Sequence, residues 1–338
     1  MANDGGRHRR APPGAGPIAS TAPTPALARP LGWLTACEAR LRAAVGGEVA
    51  EVARPALDTL AAGGKRVRPL LVFCSAPRDN ADAPEVLSAA AAVELVHMAT
   101  LVHDDLLDEA PMRRGRPTVA DAKGPDAAIQ TGDFLFARAF AELTASGSAA
   151  AVRALADAAL ALSQGELDQQ RAAFDLHLTE QAYLARCRRK TASLFSVACR
   201  LGSLAGGGGP AAAARLAAFG ENVGIAFQIF DDILDLTGAP SETGKRRGAD
   251  LRDGTVTLPV ILALQLEPGL AEALEADPEG EALEELCDRL AGHAGLELAR
   301  ERALGYVAAA RRALEGPLDG ASADALLDIA DAVVDRYA

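Results

Sequence analysis

Apolar residues recur with the spacing of amphipathic α-helices through most of this chain, and the good helix formers Ala and Leu dominate. Runs of alternating β-branched and aromatic residues, which mark strands, are nearly absent. A turn at 63–69 opens a helix that runs to about Ala76. We predict further helices at about 33–45, 49–61, 85–108, 126–145, 148–174, 179–202, 211–236, 255–266, 279–291, 293–314 and 321–337. The pattern therefore predicts an all-α fold, built as one large helical domain.

The predicted helix 85–108 is apolar almost all round between Val86 and Leu107, which is typical of a helix in the middle of a bundle. It nevertheless ends in three carboxylates, Asp104, Asp105 and Asp108. The predicted helix 211–236 ends in the same way, with Asp231, Asp232 and Asp235. Buried helices that end in charge indicate a site at the mouth of a core.

Both acidic ends have the sequence Asp-Asp-x-x-Asp, and positions i, i+1 and i+4 lie on one side of a helix. Carboxylates at such short distances repel each other unless a cation neutralises them. Oxygen ligands without His or Cys suit Mg²⁺, which binds one or two carboxylates together with substrate phosphates. One copy could be a solvated helix end, but two copies predict a Mg²⁺-dependent site for a diphosphate, built from two helices.

The net charge of −12 argues against non-specific binding of nucleic acid, so we expect basic residues to act locally. The five cysteines have no metal-ligand spacing and predict free thiols in a reducing, cytoplasmic compartment. No run approaches eighteen apolar residues, so we expect no stable membrane insertion. Residues 1–30 are rich in Pro, Ala, Gly and Arg and predict a disordered tail before a domain at 31–338, although a transit peptide fits the same composition.

The few basic residues cluster near the acidic sequences. Lys65, Arg66 and Arg68 lie at the Gly-rich turn, and Arg113 and Arg114 follow Asp108. Lys190 lies on a predicted helix, and Lys245, Arg246 and Arg247 follow the second acidic cluster. Arg offers paired donors and Lys a compact charge to phosphate oxygens. Together these groups predict a site for two diphosphates.

The chain resembles the trans-isoprenyl diphosphate synthases, or polyprenyl synthetases, from about residue 50 to about 265. The resemblance rests on an ordered set of motifs: GGKRVRP, VELVHMATLVHDDLLDEAPMRRGRPT, GDFLFARAF, GELDQQ, KTASLF, FQIFDDILD and GADLRDGTVTLP. It implies a helical bundle around a deep central cavity, normally a homodimer. It also implies condensation of isopentenyl diphosphate with an allylic diphosphate.

Carried over residue by residue, the resemblance implies three Mg²⁺ ions held by Asp104, Asp105, Asp108, Asp231 and Asp235, with Asp232 as a supporting carboxylate. Arg113, Lys190 and Lys245 would complete the allylic diphosphate site, and Thr191 follows Lys190 in the same motif. The isopentenyl diphosphate site would comprise Lys65, Arg68, His97 and Arg114. Phe227 and Gln228 match the residues beside the reacting carbons, and Gln169 matches a position that faces the cavity.

The two histidines near the first acidic cluster are treated differently. A lone histidine on an apolar helix is commonly a core residue, but the position of His97, seven residues before Asp104, favours a ligand role. For His103 we expect a structural role.

Two further features concern the length of the product and the positive charge of the diphosphate site. Ala99 and Thr100 lie about one helical turn before Asp104 and are small, which predicts an open cavity floor and a geranylgeranyl or longer product. The family commonly has Lys in a Gly-Lys-x-Thr run, where this chain has Gly254-Thr255-Val256-Thr257. One cation that contacts diphosphate is therefore missing from the pattern.

Two other functions stay open at this point. A class I terpene cyclase would share Mg²⁺-triggered ionisation, but it typically has one Asp-rich motif and a different second motif. The other is a non-enzyme, either an accessory subunit of a heteromeric prenyl synthase or a prenyl-binding helical protein. Such a subunit would be expected to have degraded Asp motifs, whereas both are intact here.

Overall fold

The computed structural model describes residues 24–335, apart from 48, 146, 239–246 and 277. The first half contains α1 (Pro25–Val45), α2 (Ala50–Ala61), α3 (Val67–Ser75), α4 (Pro84–Leu107), β1 (Met112–Arg113), β2 (Arg116–Pro117), α5 (Val119–Lys123), α6 (Pro125–Thr144) and α7 (Ala149–Arg171). The second half contains α8 (Glu180–Cys187), a π-helical segment (Arg188–Ala192), α9 (Ser193–Ala205), α10 (Pro210–Thr237), α11 (Ala249–Arg252), α12 (Leu258–Leu266), α13 (Leu270–Glu275), α14 (Gly280–Ala291), α15 (Ala294–Ala313) and α16 (Ala323–Asp335). The predicted all-α class is confirmed.

Helix α4 lies at the centre of the bundle, as its apolar surface predicts. It packs against α3, α6 and α9, and its run of alanines at 89–92 is fully buried. Small side chains allow neighbouring helices to approach closely, so α4 buries nearly its whole circumference. Helix α10 packs on α9 and α15, so α9 supports both of the helices that end in aspartates.

Helix α4 is also the one described helix whose length and composition would allow it to cross a membrane. Its apolar window is 72% buried inside the bundle. Burial against protein neighbours accounts for this apolar surface in the same way as in other central helices of bundles.

The structure corrects several boundaries. Helix α1 begins at Pro25, before the predicted helix start near residue 33 and the predicted domain start at residue 31, because Thr24 accepts a hydrogen bond from the Leu27 amide and Leu27 is buried. The predicted loop 110–125 contains the antiparallel pair β1–β2 and helix α5. The predicted helix 179–202 is interrupted by the π-helical segment. The predicted tail before residue 24 lies outside the described residues.

Candidate active site

The two acidic sequences lie at the carboxyl-terminal ends of α4 and α10. Asp108 caps α4, and its backbone N–H donates to the carbonyl of Asp104. The carboxyl end of a helix carries partial negative charge, so aspartates there are unfavourable in the absence of a cation. Both helix ends are therefore favourable places for a cation to bind.

Both helix ends open into one cavity of about 700 Å³. Its wall is built from α3, α4, α6, α7, α8, the π-helical segment, α10 and α11, with the loop before α12. Asp104 and Asp108 line it from α4, and Asp231 and Asp232 line it from α10. This volume lies in the range of small-molecule sites, so the tertiary structure brings both acidic clusters to one ligand-sized space.

Asp105 and Asp235 are held differently from the other four aspartates. Asp105 is buried, and the Arg113 Nε donates to its carboxylate at 2.5 Å. The carboxylate of Asp235 accepts from the backbone N–H groups of Ala249 and Asp250, at 3.2 and 3.1 Å, at the start of α11. Residue i+1 points about 100° away from residue i on a helix, so Asp105 faces Arg113 rather than the cavity. The expectation that each cluster presents all its carboxylates on one side is wrong for Asp105, and direct metal contact by Asp105 or Asp235 stays a prediction.

Asp104 has an unusually high pKa for a carboxyl group. Burial, helped by the nearby charges of Glu166 and Asp108, raises its pKa to about 6 against the opposing effect of Lys190 and Arg113. In the part of the chain that the structure describes, no three His, Cys, Asp or Glu side chains converge as a preformed metal centre. The cationic side chains near Asp104 therefore do not fully stabilise its ionised carboxylate.

Asp232 lies in a buried hydrogen-bond chain. Tyr183 Oη donates to its carboxylate at 2.6 Å, and Gln228 Nε2 donates at 2.8 Å. Thr191 Oγ1 in turn donates to Gln228 Oε1 at 2.6 Å. Burial raises the pKa of Asp232, while the two donors lower it. This geometry agrees with a supporting role for Asp232, and it places Gln228 and Thr191 at the cavity wall.

Lys190 reaches the cavity from the π-helical segment, which lies between two glycines. A Cβ atom at Gly165 of α7 would lie 2.5 Å from the backbone nitrogen of Lys190, and one at Gly224 of α10 would lie 2.6 Å from Cα of Ala192. The Lys190 Nζ is 2.5 Å from Glu166 Oε2, next to Gly165 on α7. Single π turns inside helices recur at functional sites, and here the turn aims a cation between the two acidic helix ends.

A second cationic group forms another part of the site. Arg68 and His97 line the cavity, and the Arg68 guanidinium lies 4.8 Å above the Phe195 ring. Burial lowers the pKa of Arg68 to about 10, with Arg114 contributing. Burial and then the charges of Arg68 and Arg114 hold the pKa of His97 well below its usual value, so its imidazole is neutral. Cations that depress one another's pKa values form a site that favours an anion.

The remaining predicted residues have varied positions. Arg114 donates to the carbonyl of Gly63, which keeps it beside the Gly-rich turn, and neither Arg114 nor Lys65 belongs to the cavity lining. Phe227 packs on Phe195 with ring centroids 5.5 Å apart. Gln169 lines the cavity as predicted. Lys245 lies outside the described residues.

Residues before Asp104 form the wall below the acidic end of α4. Ala99 is fully buried in the core, and Thr100 lines the cavity with its hydroxyl donating to the carbonyl of His97 at 2.8 Å. His103, for which we expected a structural role, also lines the cavity and packs on Phe136 at 6.0 Å between centroids. Its ring fills the space over Gly132.

Sequence reasoning missed several lining residues: Glu166, Tyr183, Arg186 and Asp250. Glu166 stands inside the quoted GELDQQ motif, so the motif contained a usable signal. Arg186 precedes Lys190 by one helical turn, which suggests a shared face. Asp250 likewise stands inside the quoted GADLRDGTVTLP motif, whereas Tyr183 gave no comparable signal, because its role arises from contact with the distant Asp232.

Comparison with known proteins agrees with this geometry. The family model described as polyprenyl synthetase matches residues 49–289. The chain belongs to the polyprenyl synthetase family. It is therefore a prenyltransferase of the family that joins isopentenyl and allylic diphosphates.

Individual relatives are polyprenyl diphosphate synthases. The chain is 41% identical over 251 residues to heptaprenyl diphosphate synthase component 2 of Geobacillus stearothermophilus, covering 74% of this chain and 78% of that protein. It is 34% identical to octaprenyl diphosphate synthase of Haemophilus influenzae, covering 81% and 85%.

Solved structures share the fold over nearly the whole chain. Heptaprenyl diphosphate synthase from Staphylococcus aureus superposes with a TM-score of 0.86 at 30% identity, covering 91% of this chain and 99% of that one. A decaprenyl diphosphate synthase from Rhodobacter capsulatus gives 0.85 at 36% identity, covering 93% and 98%. The helical bundle is thus common to these synthases.

Proposed function

We propose that this protein is a Mg²⁺-dependent trans-prenyltransferase that makes an all-trans polyprenyl diphosphate of geranylgeranyl length or longer. One observation carries the proposal: two acidic helix ends and the cations Lys190, Arg113 and Arg68 surround a single cavity of about 700 Å³. The acidic ends suit metal ions, the cations suit diphosphates, and the α4 wall below them suits a prenyl chain.

The donor set fits Mg²⁺. Asp104, Asp108 and Asp231 offer carboxylate oxygens to one space, and Mg²⁺ commonly uses one or two protein carboxylates with waters and substrate phosphates. A site that needs the substrate to complete it agrees with the lack of a preformed cluster among the described residues. The metal, which we expect as three ions, would neutralise the leaving diphosphate so that the allylic C–O bond breaks more easily.

The side chains of the protein bind the two diphosphates and exclude water from the reacting carbons. Lys190 and Arg113 donate to the allylic diphosphate and stabilise negative charge as it leaves. Arg68, Arg114 and the neutral His97 bind the diphosphate of isopentenyl diphosphate. The apolar bundle excludes water from the allylic cation, and the departing diphosphate accepts the final proton.

The cavity wall supports a long product. Thr100 lines the cavity and Ala99 is small and buried, so no bulky side chain from these positions closes the space below Asp104. The similar proteins named above are heptaprenyl, octaprenyl and decaprenyl synthases. Both observations favour a product of at least geranylgeranyl length.

The assembly is a second part of the proposal. Ile129 of α6 and Leu160 of α7 are exposed apolar side chains on two helices that contact each other, which supports a homodimer interface on this face. The name of the Geobacillus relative, component 2, supports an alternative in which this chain is one subunit of a heteromeric synthase. Molar mass by light scattering, alone and with a candidate partner, distinguishes these assemblies.

The test is an incubation of the purified protein with Mg²⁺, isopentenyl diphosphate and each allylic primer, with products sized by mass spectrometry. A ladder that ends at geranylgeranyl or beyond is expected, and Asp104→Ala should abolish it. Asp324→Asn is the matched control, because that side chain is 79% exposed on α16. Failure to elongate any primer would refute the stand-alone synthase and direct attention to a missing subunit or a cyclase substrate.

A further inference from the structure

The cavity wall carries a neutral residue where the family pattern commonly has a cation. Thr255 lines the cavity in the segment between α11 and α12, close to the acidic end of α10 in the same space. A threonine hydroxyl cannot supply the positive charge that lysine would bring to a diphosphate. Any positive charge at this part of the wall must come from another residue.

Arg186 of α8 places a guanidinium beside this segment. Its Nη2 donates to the carbonyl of Val256, the residue after Thr255, at 2.8 Å. Arg186 is only 6% exposed, yet it belongs to the lining of the same cavity. Its guanidinium carbon lies 5.4 Å from the centre of the Tyr183 ring, which restrains it from the other side. The guanidinium is thus anchored beside the backbone from which a lysine in place of Thr255 would extend.

One nitrogen of this guanidinium lacks a hydrogen-bond acceptor among the described residues. Nη1 of Arg186 is buried and has no hydrogen-bond partner within the described segments of the chain. Asp232 is the neighbouring acidic group, but its carboxylate already accepts from Tyr183 and Gln228. A buried charged donor without an acceptor is costly, so the geometry calls for an acceptor from outside the protein.

Helical spacing relates Arg186 to the predicted diphosphate ligand on the next turn. Arg186 precedes Lys190 by four residues, and both line the cavity together with Asp231. An anion bound at Lys190 therefore lies on the side of the helix to which Arg186 belongs. Arginine is suited to this task because one nitrogen can stay on the Val256 carbonyl while another donates to a phosphate oxygen.

We propose that Arg186 replaces the missing lysine at position 255 and contacts the diphosphate of the allylic substrate and of the pyrophosphate product. This inference rests on the proposed function for the identity of the anion. It identifies Arg186 as a substrate-binding residue that the family motifs do not contain.

The experiment compares wild type, Arg186→Met, Thr255→Lys and the double variant. Calorimetry measures binding of inorganic pyrophosphate in the presence of Mg²⁺, steady-state kinetics gives KM for the allylic diphosphate, and thermal unfolding reports folding. Arg188→Met is the matched control, because Arg188 is 46% exposed and pairs with Glu221 on the surface.

We expect Arg186→Met to weaken pyrophosphate binding about tenfold or more and to raise KM, since it removes a charge-assisted hydrogen bond. Thr255→Lys should restore most of the affinity in the Arg186→Met background and add less in wild type, because both cations serve the same anion. Arg188→Met should bind pyrophosphate like wild type.

Equal pyrophosphate affinity in wild type and folded Arg186→Met would overturn the inference. So would a loss that Thr255→Lys leaves unrepaired, since Arg186 would then act by holding the Val256 segment. If Arg186→Met does not fold, Arg186→Gln keeps a donor for the Val256 carbonyl without the charge, and the same comparison applies. A wild type that binds Mg²⁺ and pyrophosphate but elongates no primer would refute the proposed function, and the calorimetric comparison would still judge Arg186.

Discussion

Replacing Gly165 by alanine tests whether close helix packing aims Lys190. The added Cβ would lie 2.5 Å from the backbone nitrogen of Lys190 and 2.9 Å from its Cα, so no flexible side-chain end can move aside. Relief to a normal contact of about 3.5 Å requires the π-helical segment and α7 to separate by about 1 Å. Such a shift moves the Lys190 ammonium relative to the acidic helix ends.

The expected magnitude follows from this separation. Overpacking of this kind costs about 1–3 kcal/mol, and it is offset by about 0.5–1 kcal/mol because alanine is a better helix residue than glycine. The net loss in the free energy of unfolding is therefore about 1 kcal/mol at the middle of these ranges and at most about 2.5 kcal/mol. A displacement of about 1 Å at a catalytic group can lower the rate about 100-fold.

The assay compares Gly165→Ala with Gly305→Ala in chemical unfolding and in steady-state prenyl transfer. Gly305 lies inside α15, and an added Cβ there would meet nothing within 4 Å. The control should gain about 0.5–1 kcal/mol with unchanged kinetics. If Gly165→Ala gains stability like the control and keeps full activity, close packing does not position Lys190.

Three further predictions concern charge, product length and the core. Without Mg²⁺, the pKa of Asp104 is about 6 in the folded protein, against 3.8 for an ordinary Asp carboxyl group. The stability that this shift contributes is present below about pH 4, and the free energy of unfolding falls by about 3 kcal/mol as the pH rises through 6. Asp104→Asn should flatten the dependence of the unfolding free energy on pH across this range. Thr100→Phe should shorten the product seen by mass spectrometry, because the ring enters the cavity; an unchanged ladder would place the floor elsewhere. Glu94→Ala should cost about 1–3 kcal/mol in denaturant unfolding, because the buried Arg66 loses the acceptor of its Nη1, at 2.7 Å, and keeps only Glu38 and the Leu60 carbonyl. A loss below about 1 kcal/mol, as expected for Glu221→Ala in the exposed pair with Arg188, would contradict this.

Much of the architecture could be predicted from local pattern. The apolar circumference of α4 predicted its central position, and the two acidic ends predicted where a metal-dependent site would form. Helical periodicity depends on residues that are close along the chain, so it can be recognised from the sequence alone. The short helices α11 and α13 were missed because one or two turns give too little periodicity.

The orientation of individual carboxylates required the tertiary structure. Asp104 and Asp105 are adjacent and chemically identical, yet one lines the cavity and the other binds Arg113. Asp235 matches its motif as well as Asp231 does, but it binds the first amides of α11. Spacing predicts which face a residue occupies, whereas the partner that meets that face comes from a distant segment.

The sequence by itself determined the helices, the position of the two acidic clusters at helix ends and the family motifs, because these depend on residue identity and short-range spacing. Only the tertiary structure decided that the π-helical segment lies between Gly165 and Gly224, and that Arg186 meets the Val256 carbonyl seventy positions along the chain. Such contacts depend on how helices pack, and packing sums many weak interactions between segments that no local pattern relates.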